Sequence, residues 1–278
     1  MVEDEISVLT DEQLADYEEM GFAHSIPILS ESEVRNYAAQ VEAACQAIGD
    51  RVARLDAPHV YFDWAWELGT HPRLLDCMEQ LLGPNILLKS TRLFYKHGLS
   101  ASFVGWHQDG ITERQTDAQV PAVWLGLTGA SVENGCLRVV PRSHRLGLVP
   151  HANRPNSDNL TAQGMTAQAQ IDSPLDVVMR PGEMVLLHPL ILHASNPNRS
   201  VAPRIGFSAT YANPALRSSR TPIAWVRGDG PRDCFDIVDR PPRASLRDAV
   251  DAYRARNHQM LLSQTAPQRD ASAAHNEG

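Results

Sequence analysis

From Ile86 onward the chain is cut into short β-rich runs, and this punctuation constrains the fold more than any other feature. The runs are Ile86 to Tyr95, Phe103 to Asp109, Val120 to Thr128, Cys136 to Val140, Asp176 to Met179, Met184 to Leu192 and Arg204 to Tyr211. Turn residues separate them: Gly98, Gly110, Asn134-Gly135, Pro141, Pro181-Gly182 and Asn196-Pro197-Asn198. Short strands must stack to bury their apolar faces, so many of them at regular spacing predict a sandwich, barrel or jelly roll. Asn134-Gly135 predicts a hairpin, since both residues tolerate the positive φ of a tight turn.

Before Ile86 the pattern is helical. Thr10 with Gln13 and Ser30 with Glu33 form two capping boxes. The first helix stops near Gly21, and the second carries an apolar stripe of Val34, Tyr37, Ala38, Val41, Ala44, Cys45 and Ile48 before Gly49. A third helix is expected from Pro72 to Leu82, ended by Gly83-Pro84. Between them Tyr61, Phe62, Trp64 and Trp66 are expected to pack as core. Residues 143–173 form a long polar segment, read as a covering lid with a disordered insertion as the alternative. The expected organisation is one domain over 1–264, with a helical part (1–85), a jelly-roll core (86–228), a C-terminal helix (244–262) and a disordered tail (265–278).

A chain of 278 residues suffices for one large core. The formal net charge of -8 argues against a phosphate-binding surface, so no nucleic acid is expected. No apolar run is long enough for a membrane span, and the acidic start lacks the basic and apolar regions of a signal peptide. Cys45, Cys77, Cys136 and Cys234 form no zinc-like cluster and are expected as small buried side chains in a reducing cytoplasm. The expected partner is a small-molecule substrate; nothing in the sequence sets an oligomeric state.

The sharpest local feature is Trp106-His107-Gln108-Asp109-Gly110. On a strand, residues two apart share a face, so His107 and Asp109 would project together while Gln108 points away. Such a pair can take two adjacent positions on one metal. Alone it is a common pattern, and a strand end with a salt-bridged Asp reads equally well. A third ligand must come from elsewhere. The segment from Pro181 to Asn198 offers His188 and His193, and His193 is preferred because Ser195, Asn196 and Asn198 follow it. His188 is kept as a supporting or core residue. Arg204 opens an apolar run, and a charge entering a buried strand requires a partner, which a dicarboxylate would provide. Two histidines and one carboxylate match the facial triad of non-haem iron(II) enzymes. Zinc can use the same ligands, and Arg204 favours iron with an organic-acid co-substrate.

Several segments together resemble the phytanoyl-CoA dioxygenase family of 2-oxoglutarate oxygenases: LTDEQLADYEEMGF, WHQDG, VWLGLTGASVENGCLRVVPRSHRLG, PGEMVLLHPLILHASNPNRS and Arg204. The resemblance runs from about Leu9 to about Arg227. It implies a mainly β fold with flanking helices, a double-stranded β-helix of the jelly-roll, cupin-like kind. It implies iron(II) at His107, Asp109 and His193, 2-oxoglutarate and O2 as co-substrates, and Ser195 and Arg204 on the far carboxylate. Arg92 and Trp124 fall in segments that line the co-substrate pocket. His144, beside the Val139–Ser143 stretch, is given no metal role. The family does not fix the substrate; the expected reaction is hydroxylation of an unactivated C–H bond in a small polar metabolite or natural-product intermediate. Asp109 is intact, which points away from halogenation. Arg138, Arg227 and Trp225 could reach an anionic or polar substrate, or equally be structural. The rival readings are a cupin-type metalloenzyme that needs no 2-oxoglutarate and a non-catalytic ligand-binding jelly roll.

Overall fold

The structure is a computed structural model that describes residues 9–49, 52–111, 120–161, 164–215, 223–230, 232 and 235–265, with side chains as far as 257. The expected tail lies outside the described residues apart from its first position, and so does Cys234.

Five helices occur among the described residues: α1 (Asp11–Met20), α2 (Glu31–Ile48), α3 (Asp63–Gly69), α4 (Pro72–Leu82) and α5 (Leu246–Thr265). Both expected capping boxes are present. Thr10 and Ser30 accept the backbone N–H of Gln13 and Glu33 at 3.2 and 3.3 Å, and the Gln13 and Glu33 side chains accept the N-cap N–H in return. The α4 range is the one that the sequence predicts. The stretch before Ile86 is not wholly helical, however. It contains β1 (Phe22–Pro27) and β2 (Arg54–Asp56). Six and three residues are too few to show a strand period, and β1 is bent by an irregularity between Ala23 and Ile26.

The remaining strands are β3 (Ile86–Lys96), β4 (Val104–His107), β5 (Ala122–Gly126), β6 (Leu137–Val139), β7 (His151–Asn153), β8 (Met165–Ala167), β9 (Leu175–Val177), β10 (Glu183–Leu187), β11 (His193–Ser195), β12 (Arg204–Ala212) and β13 (Ala224–Arg227). A seven-stranded sheet runs β1-β10-β5-β12-β3-β13 with β2 also on β3, and a four-stranded sheet runs β4-β11-β6-β9. Every pairing of these strands is antiparallel. The expected run Met184 to Leu192 is two strands. β10 ends before His188-Pro189, and the chain turns there and resumes as β11 in the other sheet. Proline cannot donate to a ladder, which fits the break.

Both faces of the large sheet are covered, which explains its nearly continuous apolar strands. Val123 and Leu125 of β5, Met184 and Leu186 of β10, and Ile205, Phe207 and Tyr211 of β12 face the helices, packing with Val41, Leu68, Leu74 and Met78. Their alternates, Ala122, Trp124, Val185 and Leu187, face the small sheet and meet Leu137, Val139 and Val177. Each such side chain contributes about 1.5–3 kcal/mol by leaving water. On β12 and β3 the same alternation sends Arg204, Ser208, Arg92 and Phe94 inward, where they line a pocket between the sheets. Polar residues at inward positions of otherwise apolar strands thus mark the site.

The 143–173 segment is more ordered than expected. A 3-10 turn (Ser143–Leu146) and the β7–β8 ribbon interrupt it, and its Leu160, Thr161 and Met165 form part of the pocket wall. Among the described residues no helix is long and apolar enough to cross a membrane.

Candidate active site

His107 ends β4 and lies directly opposite His193, the first residue of β11. Their rings are 4.1 Å apart between centroids. Asp109 is not on the strand as expected but opens a 3-10 turn (Asp109–Ile111) just beyond it. That turn is tied down by Gly110 N–H donating to the Pro189 carbonyl at 2.9 Å. The three side chains each offer a ligand atom, all within 4.8 Å of one another. Asp109 Oδ1 lies 3.5 Å from His107 Nε2, and Oδ2 lies 3.9 Å from His193 Nε2.

The backbone fixes which ring nitrogens face the centre. His107 Nδ1 donates to the carbonyls of Gly105 and His193 at 2.9 and 3.2 Å, and His193 Nδ1 donates to that of Ile191 at 3.1 Å. A carbonyl only accepts, so both protons sit on Nδ1 and both Nε2 lone pairs turn inward. Burial, and then the neighbouring His107, push His193 down to about 4, which keeps it neutral. Burial would raise the Asp109 carboxyl, but His193, His107 and Arg92 outweigh it and hold it below the usual carboxylate range. An ionised carboxylate and ring nitrogens turned to the centre by their Nδ1 hydrogen bonds are what a divalent metal requires. The donor set therefore fits a facial two-histidine, one-carboxylate metal with open positions.

The far end of the pocket is cationic. Arg204 is 1% exposed, yet among the described residues it meets no carboxylate. Its Nη2 donates to the Gly135 carbonyl at 3.0 Å and to Ser195 Oγ at 3.4 Å, its guanidinium lies 5.0 Å from the Trp124 ring centre, and its Nε has no partner. The approach of Trp124 depends on Gly206, where a Cβ would fall 2.0 Å from the indole. Gly135 presents its carbonyl from a turn at Asn134-Gly135, at φ 77, but the turn is not the expected hairpin, because it leads from β5 in the large sheet to β6 in the small one.

Lys96 is the residue that the sequence reading misses. It is 0% exposed, sits opposite Arg204 in the β3–β12 register, and donates to Ser195 Oγ at 2.7 Å and to the Asn196 carbonyl. The signal was available: Arg92, Phe94 and Lys96 share one strand face, but the predicted run stops at Tyr95. A buried guanidinium with an unpartnered nitrogen, the Lys96 amine and the Ser195 hydroxyl form a receptor for a carboxylate.

Gln108 points away from the centre, as expected, and is 0% exposed. Its Nε2 donates to the carbonyls of Gly147 and Leu190 at 2.9 and 2.7 Å, while Oε1 accepts from Val149 N–H at 2.9 Å. It thereby fastens the root of the 143–173 segment to the histidine-bearing turn. His188 stands behind the site, accepting from Leu190 N–H at 3.1 Å with its ring 4.9 Å from that of His144. Neither belongs to the ligand cluster.

Three residues that the sequence leaves open between substrate contact and a structural role take structural partners. Arg138 pairs with Asp176 at 3.0 Å, Arg227 with Asp76 and Glu79 at 2.7 Å, and Trp225 donates to the Gly228 carbonyl at 2.8 Å. None of them lines the pocket. Arg92 does line it, but beside Asp56 (3.4 Å) rather than beside Arg204.

Comparison with known proteins places these features in context. The sequence profile of the family described as phytanoyl-CoA dioxygenase matches residues 17–206. A protein of Stutzerimonas stutzeri named probable alpha-ketoglutarate-dependent hypophosphite dioxygenase is 30% identical over 173 residues, covering 59% of either chain. The human peroxisomal phytanoyl-CoA dioxygenase is 27% identical over 237 residues, covering 74% of this chain and 69% of the human one. The match thus spans somewhat over half of the first relative's length. Among solved structures, the apo form of the non-heme monooxygenase ThoJ superposes with a TM-score of 0.71 at 26% identity, covering 90% of this chain and 98% of that one.

Proposed function

The chain belongs to the phytanoyl-CoA dioxygenase family, and from that premise we propose that it is an iron(II)- and 2-oxoglutarate-dependent dioxygenase that hydroxylates a C–H bond of a small molecule. The observation that carries this reading is the pairing of a metal-ligand cluster with a buried cationic receptor in one pocket. A 2-oxoglutarate-independent metalloenzyme has no use for a buried guanidinium without a carboxylate partner in the same pocket as that cluster.

His107, Asp109 and His193 would hold the iron through Nε2, a carboxylate oxygen and Nε2. When bound there, iron with 2-oxoglutarate supplies the oxidising chemistry, coupling decarboxylation of the co-substrate to transfer of one oxygen atom from O2. The rest is the work of this chain's own side chains. Gly105, Ile191 and His193 carbonyls hold the imidazoles in the ligating tautomer. Arg204, Ser195 and Lys96 take the far carboxylate of 2-oxoglutarate, and Trp124 walls its path while stacking on Arg204. Leu160, Thr161 and Met165 cover the pocket and exclude water. The pocket opens to solvent, which leaves a way in for a small partner beside the co-substrate.

The described cysteines, Cys45, Cys77 and Cys136, are buried free thiols, which supports a reducing, cytoplasmic setting. Sharing of the large sheet by strands from the N-terminal and central parts supports one domain across the described residues.

The test is succinate formation from 2-oxoglutarate by the purified protein with and without iron(II). Iron-dependent succinate supports the reading. Metal binding without any 2-oxoglutarate binding would move it to another metalloenzyme class.

A further inference from the structure

The pocket has a second cationic pole, set apart along the strands from Arg204. Arg54 on β2 and Arg92 on β3 both line it, on neighbouring strands whose register pairs Asp56 with Arg92 and Arg54 with Phe94. Both side chains are mostly buried, at 19% and 29% exposed. Both lean on the same oxygen of Asp56: Arg54 Nε at 3.0 Å and Arg92 Nε at 3.4 Å from Oδ1. Asp56 itself is 52% exposed. Among the described residues, two guanidinium groups therefore share one half-exposed carboxylate; Asp109, whose charge Arg92 also reaches, belongs to the ligand cluster, so one positive charge is left over at the pole.

This pole stands apart from the first. On β12, Arg204 pairs with Lys96 and Ser208 pairs with Arg92. Four residues of strand separate them, about 13 Å at roughly 3.3 Å per residue. The ligand cluster faces the gap from the other sheet, close enough that Arg92 acts on the charge of Asp109. The pole is also joined to the cover, because Arg54 Nη1 donates to the Leu160 carbonyl. Phe94, Ile111, Leu160 and Met165 supply apolar wall nearby.

We propose that Arg54 and Arg92 bind an acidic group of the primary substrate, a carboxylate, phosphate or phosphonate, so that the enzyme oxidises a small organic acid. The proposal rests on the oxygenase reading given above. A neutral or cationic substrate would leave the surplus charge buried and unbalanced once the cover is in place. An acid supplies the counter-charge and a bidentate partner for either guanidinium. The acidic group is held at the pole, and its carbon chain extends along the apolar wall toward the ligand cluster.

The experiment uses the full chain loaded with Ni(II), which binds without turnover, and 2-oxoglutarate. Calorimetric titration measures the binding of butyrate, inorganic phosphate and neutral butyramide. Wild type should bind at least one of the anions saturably and butyramide not at all. In the Arg54→Gln/Arg92→Gln variant the anion should bind roughly tenfold more weakly or worse, with 2-oxoglutarate affinity within about twofold of wild type. Asp56→Asn supplies the opposite sign: removing the shared carboxylate should tighten anion binding, which a merely structural role for the arginines does not predict. Equal weakening of 2-oxoglutarate in the double variant would assign the pole to the co-substrate and overturn the proposal. Normal 2-oxoglutarate binding without anion binding would also overturn it while sparing the oxygenase reading. Failure of wild type to bind metal and 2-oxoglutarate would defeat both.

Discussion

At the scale of single residues, the two histidines of the Pro181–Asn198 segment give the cleanest discrimination. His193→Ala removes a ligand atom and should abolish stoichiometric iron binding, whereas His188→Ala should leave most of it, since His188 lies outside the cluster. Iron content of the two purified variants checks this; equal loss at both positions would overturn the assignment. The cationic receptor makes a different pair of predictions. Arg204→Ala should weaken 2-oxoglutarate roughly tenfold or more with metal retained, since a charge-assisted bond is worth about 1.5–3 kcal/mol. Lys96 carries a pH signature as well. Burial, then the charge of Arg204, push its ammonium down to about 6, while an unfolded chain keeps the proton to about 10. Between those values the unfolded state binds more protons, so stability rises with pH. The burial cost is complete below about pH 6 and gone above about 10. Lys96→Met should therefore raise the melting temperature of the ligand-free protein most in acid, with the gain fading toward pH 10, and should weaken 2-oxoglutarate. A pH-independent shift would remove Lys96 from the receptor. The three ligands and Arg204 were legible as residue types in polar or incongruous surroundings. Lys96 was not, because a lysine at a strand end reads as solvated until the partner strand covers it.

At the scale of elements, Gln108 is one of several anchors of the long segment after β6, and the one that ties its root to the histidine-bearing turn. Gln108 satisfies two carbonyls and one N–H from buried backbone, and each group left unpaired costs about 1–3 kcal/mol. Gln108→Ala should lower stability by roughly 3 kcal/mol or more and expose residues 147–170 to protease. It should also raise succinate formation not matched by substrate oxidation. Unchanged protease protection would show that the ribbon holds itself. The helix caps and the longer strands were readable because capping boxes and alternation are local signals. The short strands β1 and β2 were not, since their pairing is dictated by β10 and β3 across the chain. Nor was the division of Met184 to Leu192 between two sheets, where an unbroken apolar run hides a turn at His188-Pro189.

At the scale of the molecule, the helices, the large sheet and the small sheet share buried surfaces, so unfolding should be a single cooperative transition. Ni(II) with 2-oxoglutarate should move that transition upward by mass action, by about 2.7 kcal/mol at a hundredfold excess over Kd. Asp109→Ala should abolish the shift; a shift that survives it would place the metal elsewhere. The jelly roll as a class was legible from strand count and turn spacing, but which strands face which was not, because sheet order depends on pairings far apart in sequence. That order has a consequence of its own. The ligand cluster hangs from the small sheet, on β4 and β11, whereas Arg204 and Lys96 stand on the large one, on β12 and β3. Packed sheets keep a spacing of about 10 Å that neither can change alone. The fold is therefore a calliper, set to one length of 2-oxo diacid between its jaws. Oxaloacetate, one carbon shorter, and 2-oxoadipate, one carbon longer, should each fail to replace 2-oxoglutarate in stabilising the metal-loaded protein, however well their two carboxylates match the charges waiting at either end.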